Sequence, residues 1–89
     1  MPKHRANRVV ERAVEIVKLL KQSEGKSLTT GDIMRVLNYS HNQVFYVLRK
    51  LQQIGVVREV KVGRIARWKL IDDSEDIEEK VRTLLSQRS

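Results

Sequence analysis

Residues 40–55, SHNQVFYVLRKLQQIG, constrain the chain more than any other stretch, because they specify the start, the stop and the two sides of one helix. Ser40 followed three residues later by Gln43 is a capping-box pattern. The serine hydroxyl accepts from the amide of residue 43, and the glutamine carbonyl accepts from the amide of residue 40. Tyr39 and Val44 stand where a hydrophobic staple packs, and Gly55 supplies the left-handed residue that ends helices. At about 100° per residue, Val44, Val47, Leu48, Leu51 and Ile54 gather on one side, and Asn42, Tyr46, Arg49, Lys50 and Gln53 on the other. The polar side carries cations, amides and a phenol but no carboxylate, which suits an approach to phosphates and base edges. Taken alone, the helix reads equally well as an ordinary amphipathic surface helix.

What precedes it shifts that balance. Thr29-Thr30-Gly31-Asp32 repeats the capping logic: Thr29 caps, and Asp32 returns the bond at the positive end of the helix. Ile33, Met34, Val36 and Leu37 supply two turns to about Leu37, and Asn38 tolerates the left-handed exit. Two short helices, a turn of about three residues and a second helix with a polar outer face make a helix-turn-helix. Further upstream, Val9, Val10, Ala13, Val14, Ile16, Val17 and Leu20 recur at helical spacing, which predicts a first helix from about Arg5 to Gln22, closed by Gly25. Leu19 lies off the main stripe, so this helix serves either the domain core alone or also a second subunit. Pro2-Lys3-His4-Arg5 reads as a short basic arm.

After Gly55 the period changes. Val56 to Val62 and Ile65 to Ile71 alternate β-branched residues with charges around Gly63-Arg64, which predicts a hairpin with Gly63 at the first central position of a tight turn. A two-residue loop sets Trp68 opposite Glu59, and a longer one sets it opposite Arg58. In either register Trp68 is a core anchor under the hairpin rather than a ligand platform. Asp72-Asp73-Ser74-Glu75-Asp76 reads as the acidic opening of a last helix. Its Ile77, Val81 and Leu84, with Leu85 beside them, follow a seam-like spacing. A stripe this short needs a partner, either its own domain or the same helix of a second copy, and the second copy is favoured.

Net charge is +7, and it is unevenly distributed: residues 1–71 hold 15 Lys/Arg against 5 Asp/Glu, residues 72–89 hold 3 against 6. The basic part calls for an anionic partner, nucleic acid first, and the tail faces away from it. The absence of cysteine removes disulfides, thiolate metal sites and Cys nucleophiles. His4 and His41, the only histidines, have no second ligand at useful spacing, so neither metal nor cofactor is expected. No apolar run approaches a membrane span, and a cytoplasmic, nucleoid-associated location is expected. With no carboxylate pair, nucleophile with base or phosphate loop, the chain does not read as an enzyme. The abundance of Lys, Arg, Glu and Val suits a heat-adapted host.

The order helix, short strand, helix, helix, hairpin, helix resembles the winged helix-turn-helix family of DNA-binding proteins from residue 9 to 71. The segment Asn38 to Arg58, with Leu48, Leu51, Gly55 and Val56-Val57-Arg58 leading into the wing, is similar to the recognition helix and wing start of ArsR-like and MarR-like bacterial and archaeal regulators. The resemblance implies an α+β, mostly helical fold: a three-helix core, a two-stranded wing hairpin and an extra C-terminal helix. Residues 1–8 are then the arm, 9–71 the winged domain and 72–89 a dimerisation helix using Ile77, Val81, Leu84 and Leu85, with Leu19 on the first helix. It further implies that the third helix enters the major groove and the hairpin tip meets the minor groove. Asn42 and Tyr46 then face bases, with Arg49 and Lys50 at bases or backbone; Asn42 and Arg49 are the main readers, since Asn suits adenine and Arg suits guanine. Ser40, His41, Gln43 and Thr30 lie at helix starts near phosphates, although Gln43 is taken by its cap. Arg64 is the minor-groove candidate, with Lys61 and Arg67 on the flanking strands. Phe45 packs against the second helix or meets a thymine methyl.

The leading expectation is a homodimeric, sequence-specific regulator on double-stranded DNA. An architectural DNA-binding protein with little sequence preference and a protein-interaction module of the same fold are the alternatives. The lack of cysteine departs from metal-sensing relatives, and no small-molecule effector is evident.

Overall fold

Most of the chain's turns are closed by residues within four positions of one another, and the architecture follows from them. The computed structural model describes residues 4–86. Helix α1 spans His4–Gln22, a three-stranded sheet contains β1 (Ser27–Thr29), β2 (Val57–Val62) and β3 (Ile65–Leu70), and helices α2 (Thr30–Leu37), α3 (His41–Gln53) and α4 (Ile77–Ser86) complete the fold. Since α1 begins at His4, the expected arm is helical from that point, while Pro2 and Lys3 lie outside the described residues.

Both capping boxes form. At α2 the Thr29 hydroxyl accepts from the Asp32 amide at 3.0 Å while Asp32 accepts from the Thr29 amide. At α3 the Ser40 hydroxyl accepts from the Gln43 amide, and Gln43 Oε1 accepts from the Ser40 amide at 2.9 Å. Between them, Asn38 takes the left-handed conformation (φ 61°), and the amides of Asn38 and Tyr39 both donate to the Met34 carbonyl. Helix α3 stops in a Schellman arrangement: Gly55 has φ 80°, its amide donates to the Gln52 carbonyl, and the Val56 amide donates to Leu51. The chain therefore leaves α3 in a single direction, straight into β2.

The wing closes with the shorter of the two loops. Val62 pairs with Ile65, Lys61 with Ala66, Glu59 with Trp68 and Val57 with Leu70, leaving Gly63-Arg64 as a two-residue turn with Gly63 at φ 64°. The sheet has one more strand than the hairpin alone. β1 pairs antiparallel with β3 on its other edge, Leu28 opposite Trp68 and Thr29 opposite Arg67, so β3 is central.

The core joins every layer. Ala13, Ile16, Val17 and Leu20 of α1, Ile33 of α2, Val44, Val47, Leu48 and Leu51 of α3, and Val56, Trp68, Ile77 and Val81 are fully buried. Two expectations about the last helix fail here. The acidic run 72–76 precedes the helix instead of opening it: Asp72 Oδ1 accepts from the Ser74 amide and hydroxyl, a local turn that holds the backbone out of helical geometry. Ile77 and Val81, assigned to an intersubunit seam, pack into their own chain's core beside α1, because a one-sided helix next to the wide stripe of α1 buries its apolar face at once. Leu19, Leu84 and Leu85 are half-buried. Lys80 reaches back to Asp72 at 2.7 Å and Lys21 of α1 meets Glu78 at 3.6 Å, fastening α4 in place.

Candidate nucleic-acid interface

The outward stripe of α3 is built by periodicity opposite the buried Val44, Val47, Leu48 and Leu51. On the helical wheel Arg49, Asn42, Gln53 and Tyr46 fall within about 60° of one another, directly away from the core. All four are exposed, Tyr46 at 53%. Lys50 sits at the edge of this stripe with its ammonium 5.4 Å from the centre of the Tyr46 ring. A cation over the ring face holds the phenol upright at modest energetic gain. Arg49 lies 5.7 Å over Phe45, so its guanidinium is supported from the other flank.

Phe45 has an aromatic partner that the sequence alone did not indicate. It meets Trp68 of β3 edge to face at 6.0 Å, and His41 stacks on its other side at 5.6 Å. The reason is angular: Phe45 and His41 project from the side of α3 turned toward the sheet. A column of His41, Phe45 and Trp68 thus connects the flank of α3 to the wing. It ends on α2, where the buried indole Nε1 donates to the Thr30 hydroxyl at 2.8 Å.

Several residues singled out in the sequence are committed to structure. Ser40 and Gln43 serve the α3 cap, and Thr30 serves Trp68. Arg67 donates through Nε to the Ser27 hydroxyl and through Nη2 to the Ser27 carbonyl, so it staples β1 to β3 and is half-buried. Lys61 and Arg64 are exposed at the far end of the wing. Alternation places Arg58, Val60, Val62, Ile65, Arg67 and Lys69 on the outer face of the hairpin, and Val57, Trp68 and Leu70 on the core face. Arg58 and Lys69 therefore form an exposed cross-strand cationic pair that sequence reasoning passed over. The alternation pattern held the signal, since both residues flank core-facing positions.

Two carboxylates around the helix-turn-helix are engaged within the chain. Asp32 lies below the usual carboxylate range because the Thr29 amide and hydroxyl donate to it, and Arg35 pairs with it at 2.7 Å. Glu15 accepts from the Tyr39 hydroxyl at 2.6 Å, which pushes the Tyr39 phenol up, while Arg12 lies over the Tyr39 ring at 5.3 Å. Tyr39 thus ties the helix-turn-helix turn to α1. Among the described residues there is no cluster of His, Asp and Glu fit to hold a metal, and no helix long and apolar enough to cross a membrane.

A family model described as a winged helix DNA-binding domain matches residues 9–78. Among solved structures, the chain is similar to Sco5413, a MarR family transcriptional regulator from Streptomyces coelicolor, with 17% identity and a TM-score of 0.71 over 90% of this chain and 61% of that one. It is similar to an apo mutant of ZitR from Lactococcus lactis, with 21% identity and a TM-score of 0.66 over 92% and 62%. The adhesin competence repressor AdcR from Streptococcus pyogenes matches with 20% identity and a TM-score of 0.62 over 84% and 53%. The chain thus spans about three fifths of the length of the first two and about half of the third. No curated protein matches it.

Proposed function

Because this chain belongs to the winged helix DNA-binding domain family, we propose that it is a transcriptional regulator that reads double-stranded DNA sequence as a homodimer. In this reading α3 lies in the major groove and the wing follows the adjoining minor groove. The observation that carries it is the carboxylate-free stripe of Asn42, Tyr46, Arg49 and Gln53, turned directly away from the core and buttressed by Lys50 and Phe45. Asn42 and Arg49 offer the planar donor and acceptor sets that distinguish adenine and guanine. Arg58, Lys61, Arg64 and Lys69 supply phosphate attraction, the larger and salt-sensitive share of affinity. Ser40 and Thr30 use their hydroxyls within the fold as acceptors and keep the hydroxyl hydrogen to donate, so with His41 they remain candidates for phosphate contact at helix starts. Regulation follows from steric occupancy of the bound site.

With Ile77 and Val81 spent inside the chain, the dimer contact falls to the half-buried Leu19, Leu84 and Leu85. Selection of bound duplexes from a random pool at near-physiological salt tests the reading. It is expected to return an inverted repeat with half-sites about one helical turn apart. Binding without enrichment would support an architectural protein instead, and absence of binding would overturn DNA recognition altogether.

A further inference from the structure

The wing tip carries an apolar pair that neither the fold nor base reading requires. Val62 and Ile65 face each other across the Gly63-Arg64 turn and are 66% and 58% exposed, with Val60 next along the same face at 39%. Strand propensity does not require them, since threonine serves a pleated edge as well with a hydroxyl in place of one of valine's methyl groups. Nothing in the described chain covers them: the core side of the hairpin is the opposite face, where Val57, Trp68 and Leu70 are buried. Their neighbours are cationic, with Arg64 in the turn itself, Lys61 beside Val62, and Arg58, Arg67 and Lys69 further along. An apolar tip ringed by cations fits an apolar slot with anionic walls. Stacked base pairs between phosphate backbones are such a slot.

We propose that Val62 and Ile65 act as a wedge that enters the minor groove and partly unstacks one base step, so that the protein kinks the DNA it binds. The proposal rests on the DNA-binding reading above and adds a deformation to it. The dimensions support it. Two strands about 4.8 Å apart with their side chains are wider than a minor groove of about 6 Å can admit undistorted. Entry therefore demands a widened groove, and wedging apolar side chains at a step opens the minor groove by bending the duplex toward the major groove. The two-residue turn keeps the tip narrow and stiff, and Arg64 is placed to hold a phosphate or groove edge as the step opens. Pyrimidine-purine steps unstack most readily, so a TA or CA/TG step is expected under each wing.

The test measures bending and binding separately, by end-to-end fluorescence transfer across a duplex carrying a selected site and by titration at the same salt. The wild-type protein is expected to bend the duplex by about 20–90°. The V62T/I65T double variant, which preserves β-branching, is expected to lose most of that bend while its affinity falls less than tenfold. R64Q is expected to weaken binding yet leave the bend of the saturated complex in place. Tight binding to a straight duplex, or an unchanged bend in V62T/I65T, would overturn the wedge and leave the DNA-binding reading intact. No binding by the wild-type chain would overturn both. Loss of a sedimenting dimer in V62T/I65T would assign the tip to contact between copies and refute the wedge.

Discussion

Replacing Thr30 by valine isolates one bond on which the placement of the wing depends. Trp68 is fully buried, and its indole N–H donates to the Thr30 hydroxyl at 2.8 Å, joining the central strand to the first turn of α2. Valine keeps the β-branched shape and nearly the volume of threonine, so packing is preserved while the acceptor is removed. A buried donor left without a partner costs about 1–3 kcal/mol. At about 4–8 °C per kcal/mol for a domain of this size, Thr30→Val is expected to lower the melting temperature by roughly 10 °C. Urea unfolding should show a lower midpoint at unchanged slope, because the surface exposed on unfolding is the same. A Trp68→Phe background supplies the control. With the indole N–H gone, adding Thr30→Val should cost less than about 0.5 kcal/mol, so the double-mutant cycle closes with a coupling of roughly 1 kcal/mol or more. Equal destabilisation in both backgrounds, or an unchanged midpoint in Thr30→Val alone, would refute the role assigned to this bond.

Gly55→Ala is expected to destabilise by about 1–2 kcal/mol. The cost arises from its φ of 80° and not from crowding, since nothing lies within 4 Å of an added Cβ. Arg49→Ala should reduce discrimination between a selected site and a scrambled one by about 1–3 kcal/mol. Arg58→Ala with Lys69→Ala should instead weaken both about equally and lower the salt slope of binding by about 2. A preserved salt slope would remove this pair from the interface. The Lys80 ammonium and the Ser74 donors hold Asp72 at a pKa of about 2, below its unfolded value near 3.9. Its stabilising contribution is therefore complete above about pH 4 and disappears as pH falls toward 2. Asp72→Asn keeps the acceptor for the Ser74 amide but loses the ion pair. Thermal melts should show a deficit of at most about 1 kcal/mol at pH 7, since the pair is partly solvated, closing near pH 2.

Most features whose partners lie within a few residues were legible in the chain before it folded; the Asp72–Ser74 turn, local yet read as the start of a helix, is the exception. Thr29 with Asp32, Ser40 with Gln43, the left-handed Asn38 and Gly55, and the turn at Gly63 are local bonds or local conformations, indifferent to what packs around them. The polar stripe of α3 is equally local, because a 3.6-residue period sets its angles. Long-range pairing decided the rest. Arg67 read as a free phosphate contact until β1 brought Ser27, 40 positions away, against it. Phe45 turned toward Trp68, and Tyr39 toward Glu15, because the sheet and α1 occupy those flanks. The last helix illustrates the limit most plainly. Spacing identifies Ile77, Val81, Leu84 and Leu85 as one apolar side, but burial is non-directional and carries no label for its partner. Only the assembled fold, with α1 lying open beside it, directed Ile77 and Val81 into the chain's own core.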